Sequence, residues 1–241
     1  MTKLNHLPLA AMVIALGAAP AVAQVAGIAY ADPSEAILTA KAFETANQQI
    51  RTTYKQNIDQ ITQRRQQTDT QLRPLITALD TNKDNQLSEA EVQAAQTAKR
   101  TELTQIQTIQ QQSEQAINTL NEPLILAQAY ALETVLRAYP AAQTKVIADK
   151  KINVILSPEA FVYAPDAANV TAALKAELDR TTPTVAITPP ANWRPTQQTM
   201  QLLQQYQQLV ARAAQVRAAQ AQQQQPQQPA AGTTTPAPEG R

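Results

Sequence analysis

The chain has no cysteine, a single histidine and four glycines in 241 residues, and none of the glycines lies between Gly27 and Gly232. Without cysteine there is no disulfide staple and no Cys–His nucleophile pair, and the one histidine, His6, falls in a segment that reads as a removed signal peptide. A Ser–His–Asp triad and a histidine-based zinc centre are excluded with it. Glycine supplies the positive-φ turns and close backbone approaches of phosphate loops, nucleophile elbows and tight hairpins, so its absence removes those devices as well. A carboxylate-only hydrolase remains chemically open, but no pair of acids stands out as its centre. No catalytic residue is assigned, and the composition favours a function of shape or binding.

The N-terminus reads as an export signal. Lys3 and His6 precede an apolar run from Leu7 to Ala19, and Ala21-Val22-Ala23 supplies small residues for cleavage before Gln24. The run is shorter than the roughly 20 residues that span a bilayer and contains Pro8, so residues 1–23 are expected to be a removed signal peptide rather than an anchor. Removing it takes Lys3 and His6 away and leaves 19 basic against 19 acidic residues. That neutrality argues against nucleic acid as a partner, because phosphate neutralisation needs a basic surface.

What is present is helix. After a short apolar stretch, Val25–Ala31, which can form a buried strand, Asp32 reads as an N-cap, Pro33 as the first helical residue and Glu35 as the return half of a capping box. A long helix is expected to follow, with a narrow stripe at Phe43, Ala46, Ile50, Tyr54, Ile58 and Ile61. The stripe is lost in a Gln/Thr/Arg run from Thr62 to Gln71 and returns at Leu72, Leu75, Ile76 and Leu79. A second helix repeats it at Ile106, Ile109, Ser113, Ile117, Leu120, Leu124, Ala127, Ala131 and Val135. Together these predict an antiparallel helical-hairpin, coiled-coil-like arm over 35–140, reaching on the order of 65 Å at about 1.5 Å per residue. Pro74 and Pro123 are expected to kink it.

Residues 141–180 read as the small β/α body that joins 24–34. Ile152–Ser157 alternates like a strand, Pro158-Glu159 turns it, and Ala160–Ala164 reads as a second strand of a hairpin. A helix follows, capped by Asp166 or Asn169, with Val170, Leu174 and Leu178 as its apolar face. So little sheet is unstable alone, and pairing between subunits is the expected remedy.

The segments Gly27-Ile-Ala-Tyr-Ala-Asp-Pro33 and Val154-Ile-Leu-Ser-Pro-Glu-Ala-Phe-Val-Tyr-Ala164, with the Gln-rich helical hairpin between them, resemble the Skp/OmpH family of periplasmic chaperones over roughly residues 25–180. The resemblance implies a mainly α fold with a small β body. It implies a homotrimer in which strands of three subunits form a β-barrel, and three arms that enclose unfolded outer-membrane β-barrel proteins without ATP. It implies a periplasmic location and no required cofactor. Arms of this family are usually strongly basic, whereas residues 35–140 here hold 10 Lys/Arg against 12 Asp/Glu. The resemblance therefore does not carry lipopolysaccharide binding over to this chain. Arg64, Arg65, Arg73, Lys99 and Arg100 are a candidate basic band, or a solvated helix surface.

The loop at the arm's tip matches a calcium-binding EF-hand loop over residues 80–91. Asp80, Asn82 and Asp84 stand at positions 1, 3 and 5, the Gln86 carbonyl at 7, Ser88 at 9 and Glu91 at 12. Asn85 replaces the usual glycine at position 6. The other reading is a capped helix-to-helix turn with Ser88 as N-cap and Glu91 closing its capping box. A Ca2+-binding scaffold protein of the cell envelope is accordingly the alternative to the chaperone.

From Thr181 the chain becomes a Pro/Gln-rich tail with one amphipathic helix marked by Met200, Leu203, Tyr206, Val210 and Ala213, and from Ala218 a composition of disorder. Trp193, beside Arg194, is a candidate contact for a membrane surface or client; the alternative is an anchor of the linker against the body.

Overall fold

The computed structural model of the chain describes residues 27–223, so the expected signal peptide and the end of the tail lie outside the described residues. The first strand, β1 (Ile28–Tyr30), pairs in parallel with β2 (Val154–Leu156), with Ile28 opposite Val154 and Tyr30 opposite Leu156. Gly27 opens the ladder in a left-handed conformation that strains any residue with a side chain. Its φ is +73°, and a Cβ would stand 2.2 Å from the Asn153 amide nitrogen. Its carbonyl accepts the Asn153 and Val154 N–H groups at 2.7 and 2.9 Å.

The expected hairpin over 152–164 is not formed. β2 ends at Leu156, Pro158–Ala160 make a 3-10 turn, and residues 161–164 are not strand. The physical reason lies at the other edge of β1. Tyr30 is bridged in parallel to Asn169, and the Tyr30 carbonyl accepts the Val170 N–H at 2.9 Å, so the incoming segment before the next helix takes the place a third strand would need. Pro158 and Pro165 bracket the displaced segment, and each lacks an N–H for a ladder. Phe161 turns back onto Tyr30, ring centroids 5.6 Å apart.

The long helix expected after Asp32 is divided into α1 (Pro33–Leu38), α2 (Lys41–Thr53) and α3 (Lys55–Leu79). Asp32 caps α1 as its sequence suggests, accepting the Glu35 N–H at 3.0 Å. The return bond comes from elsewhere: the Asp32 N–H donates to the Thr171 hydroxyl at 2.9 Å, in place of Glu35. The break at Thr39–Ala40 is held from outside too, since the exposed N–H of Lys41 donates to the Asp179 carboxylate at 2.7 Å. That break lets α1 bury Ala36, Ile37 and Leu38 in the body. The second interruption is Tyr54, at φ −101° and ψ 23°. Helix continues through Pro74 in α3 and through Pro123 in α5.

After the loop come α4 (Glu89–Thr97) and α5 (Thr101–Lys150), a single helix of 50 residues and so about 75 Å long. It closes without glycine: Lys151 adopts φ 52°, and the Ile152 N–H donates back to the Ile147 carbonyl at 3.0 Å, the bond of a Schellman end. α6 (Thr171–Thr181) and α7 (Gln197–Gln223) complete the fold. Neither expected cap holds the N-cap of α6, which is Val170; Asn169 stands one residue before it, its side chain accepting the Thr171 N–H at 2.9 Å. The core lies where α1, α2, α5, α6 and the start of α7 meet, around Phe43, Leu132, Val135, Leu174, Leu178 and Leu203.

Candidate functional site

Three surfaces follow from this scaffold: the flanks of the α3/α5 pair, the loop at its tip, and the outer face of the two-stranded sheet. The pair is tied along its length by partners whose numbers rise in α3 as they fall in α5. Asn57 donates to the Leu120 carbonyl at 3.1 Å, Thr68 to the Ser113 hydroxyl at 2.7 Å, and Arg100 reaches back to the Ala78 carbonyl at 3.5 Å. The two helices therefore run in opposite directions. Their seam is apolar at both ends and polar between. Towards the body Phe43, Ala46 and Ile50 are buried; at the far end Leu79, Ala95 and Ile106 form a separate small cluster with Leu72, Leu75 and Leu103 around it. Between them the Thr62–Gln71 run supplies the Thr68–Ser113 bond and Arg64, whose buried Nε has no partner. From Thr62 to Ala78 no residue is fully buried. The expected basic band is dispersed: Arg64 turns partly into the seam and Arg100 pairs with Glu102 at 2.7 Å, while Arg65, Arg73 and Lys99 are exposed.

The tip loop satisfies itself. Glu91 is the buried hub, with one carboxylate oxygen accepting from the Thr81 N–H at 2.7 Å, the Thr81 hydroxyl at 2.8 Å and the Asn82 N–H at 3.2 Å. The other accepts the Ser88 N–H and hydroxyl at 2.9 and 2.8 Å, which makes Ser88 and Glu91 a complete capping box. The bonds from Ser88, then those from Thr81, hold the Glu91 carboxyl at about 2, below its ordinary 4.5. Asp80 accepts from the Lys83 and Asn85 N–H groups at 2.6 and 2.7 Å. Asp84 accepts from the Gln86 N–H at 2.8 Å. Asn82 accepts the Asp84 N–H at 3.0 Å. Asn85 sits at φ 63°, the left-handed conformation for which the motif reserves glycine. Among the described residues no group of three or more His, Cys, Asp or Glu converges as a metal cage.

The sheet presents an apolar outer face. Ala29 is buried and Ile155 packs on the core, while the alternate residues Ile28, Val154 and Leu156 are 42, 45 and 39% exposed. Val162 and Tyr163, in the segment that follows β2, are also largely exposed. Side chains of period two that are apolar on both faces mark a sheet made to be covered on both.

Sequence reasoning missed the polar joint that fastens the tail. Glu133 is buried on α5, accepting the Thr196 N–H at 3.0 Å and the Thr199 hydroxyl at 2.9 Å, with Arg137 as its ion partner. Burial alone would raise this carboxyl, but those three donors outweigh it and hold it below the ordinary carboxylate value. The same joint seats Trp193 edge-on against Tyr130, ring centroids 5.1 Å apart, so the tryptophan is an anchor of the linker. A Thr at 196 with a second Thr three residues on is the one local hint, since Thr196 accepts the Thr199 N–H at 3.2 Å as a helix start does.

Among the described residues no helix is long and apolar enough to cross a membrane. A family model described as "Outer membrane protein (OmpH-like)" matches residues 27–178. A solved structure from Caulobacter crescentus CB15, an "outer membrane chaperone (OmpH-like)", aligns at 18% identity over 70% of this chain and 95% of that one, with a TM-score of 0.44. No curated protein sequence matches the chain.

Proposed function

The chain belongs to the OmpH-like family, and from that membership we propose that it is an ATP-independent chaperone of the periplasm that holds unfolded outer-membrane β-barrel proteins. The observation that carries this reading beyond the family is the α3/α5 pair. It is a long two-helix projection whose flanks are free along the whole stretch from Thr62 to Ala78, and a thin seam gives it purchase without rigidity. A barrel precursor exposes alternating apolar residues and unpaired strand edges, the features that drive aggregation. Many weak contacts from such an arm shield it without selecting one conformation, and binding the unfolded chain opposes self-association by mass action. In this reading three copies join through the outer sheet face, with Ile28, Val154 and Leu156 covered and the open segment 161–164 added as a strand. The three arms then bound the client cavity, and no residue is catalytic.

The test is light scattering of a urea-unfolded outer-membrane barrel protein diluted into buffer with residues 24–241 and no ATP. Suppression that saturates near one trimer per client is expected. Undiminished aggregation in the presence of a folded oligomer would contradict the reading.

A second reading concerns the tip. The left-handed Asn85 and the Asp80 bonds to the Lys83 and Asn85 N–H groups favour a weak Ca2+ site over residues 80–91, at about 10⁻⁴ to 10⁻³ M. Its obstacle is Glu91, which would have to give up its five donors to ligate. Calorimetry with Ca2+ decides it: heat that disappears in Glu91→Gln supports the site, and no heat in the unaltered chain removes it.

A further inference from the structure

Between α6 and α7, beyond the residues that match the family model, the linker crosses the body in an extended form. From Thr184 to Ile187 it is neither helix nor strand nor turn. Burial alternates along it: Val185 and Ile187 are half-buried and pack on the core, while Thr184, Ala186 and Thr188 are exposed. Among the described residues no hydrogen bond fastens 184–188; the flanking backbone bonds run from the Thr182 N–H to the Leu178 carbonyl at 2.8 Å and from the Trp193 N–H to the Pro190 carbonyl at 3.1 Å. The stretch is therefore attached by two apolar side chains, with Pro183 before it and Pro189 and Pro190 after it keeping the backbone out of helix. Its ends are held more firmly, by α6 on one side and by the Glu133 joint on the other.

The body thus carries a surface that takes an extended chain through every second side chain and makes no bond to its backbone. A strand of an unfolded outer-membrane barrel has the same pattern, with apolar and polar side chains in alternation. No residue from Thr181 to Trp193 is charged, so the surface selects for shape and apolar contact. A stretch with few buried contacts and free backbone groups opens at low cost. Tethered at both ends, it competes for its own surface at an effective concentration on the order of millimolar, so a free peptide displaces it poorly and a client already held by the arms displaces it well. We propose that residues 184–188 are a built-in stand-in for a client strand, and that a strand of an unfolded barrel protein takes their place on the body. The proposal rests on the chaperone reading above and adds to it a second client contact, under a segment outside the family match.

The probe is a fluorescein-labelled peptide with the sequence of residues 182–191, followed by anisotropy as residues 24–241 are added. Val185→Ser/Ile187→Ser weakens the resident segment and leaves the surface beneath it intact, while Glu133→Ala loosens the same linker from its other end. With the resident competitor weakened, each variant that keeps its helical circular dichroism should bind the peptide about ten-fold more tightly than the unaltered chain does. A urea-unfolded barrel protein, diluted in, should then release the peptide beyond what the barrel protein takes up alone. Folded variants that bind the peptide no better than the unaltered chain overturn the proposal. So does a bound peptide that the barrel protein leaves in place, since the surface would then belong to the linker only. The unaltered chain is assayed alongside for suppression of barrel-protein aggregation. Suppression without displacement of the peptide leaves the chaperone reading standing and removes this proposal; no suppression removes both.

Discussion

The two ends of α5 are built differently. At the body end, strands, three other helices and the root of α7 converge on Leu132 and Val135, and polar groups are bonded across long sequence separations, as in the Glu133–Thr199 and Asp32–Thr171 contacts. At the tip only three residues are buried as a core, and the loop is held by local bonds around Glu91. Between them the seam is a hydroxyl pair and a buried guanidinium nitrogen without a partner. Burial of apolar area is the main stabilising term, so the body should unfold last and the tip should open locally at little cost to the whole. In the proposed chaperone reading, that division would let the body keep one assembly while the arms adapt to clients.

Breaking the body should have the largest effect. Phe43→Ala removes a fully buried ring from between Tyr206 and α5 and should cost about 3–5 kcal/mol in denaturant unfolding, lowering the midpoint of the whole molecule. Next comes Glu133→Ala, which strands the Thr196 N–H and Thr199 hydroxyl and should cost about 2 kcal/mol; loss of Trp193 fluorescence ahead of the main helical transition would show the tail detaching first. At the tip, Ser88→Ala should cost about 1 kcal/mol, read as faster hydrogen exchange in residues 81–91 with the global midpoint unchanged. The same loop should respond to acid. The Glu91 carboxyl is depressed from 4.5 to about 2, so its contribution is complete above about 4.5 and is lost as pH falls towards 2, where exchange in 81–91 should rise before the body unfolds. The smallest effect runs the other way: Lys151→Gly relieves a left-handed lysine and should stabilise by about 0.5–1 kcal/mol in thermal melts.

What was legible in the sequence was what repeats or caps locally. The stripes through Phe43, Ala46 and Ile50 and through Val170, Leu174 and Leu178 are buried where their spacing places them, and Asp32 and the Ser88–Glu91 box act where their types suggest, while the N-cap of α6 is Val170 rather than Asp166 or Asn169. The misreadings share one cause, a partner far away in sequence. Tyr30 takes Asn169 and Val170 in place of a hairpin strand from 160–164, Thr171 supplies the acceptor that Glu35 was expected to be, and Asp179 holds the break between α1 and α2. Nothing in local periodicity encodes such choices. The absence of glycine was informative for motifs and less so for backbone, because Lys83, Asn85, Lys99, Lys151 and Asn192 take the positive-φ positions instead. The docking of α7 was half legible: its stripe is readable, but Leu202 and Glu133 had no local reason to find the body and the tail.

Hydrogen exchange of the oligomer with and without an unfolded barrel protein tests most directly whether the arm holds the client while the body holds the assembly. The account predicts added protection in α3 between Thr62 and Ala78 and in the facing part of α5, with β1, β2 and α6 unchanged. Protection confined to the sheet and α6, with the α3/α5 flanks exchanging as before, would contradict it.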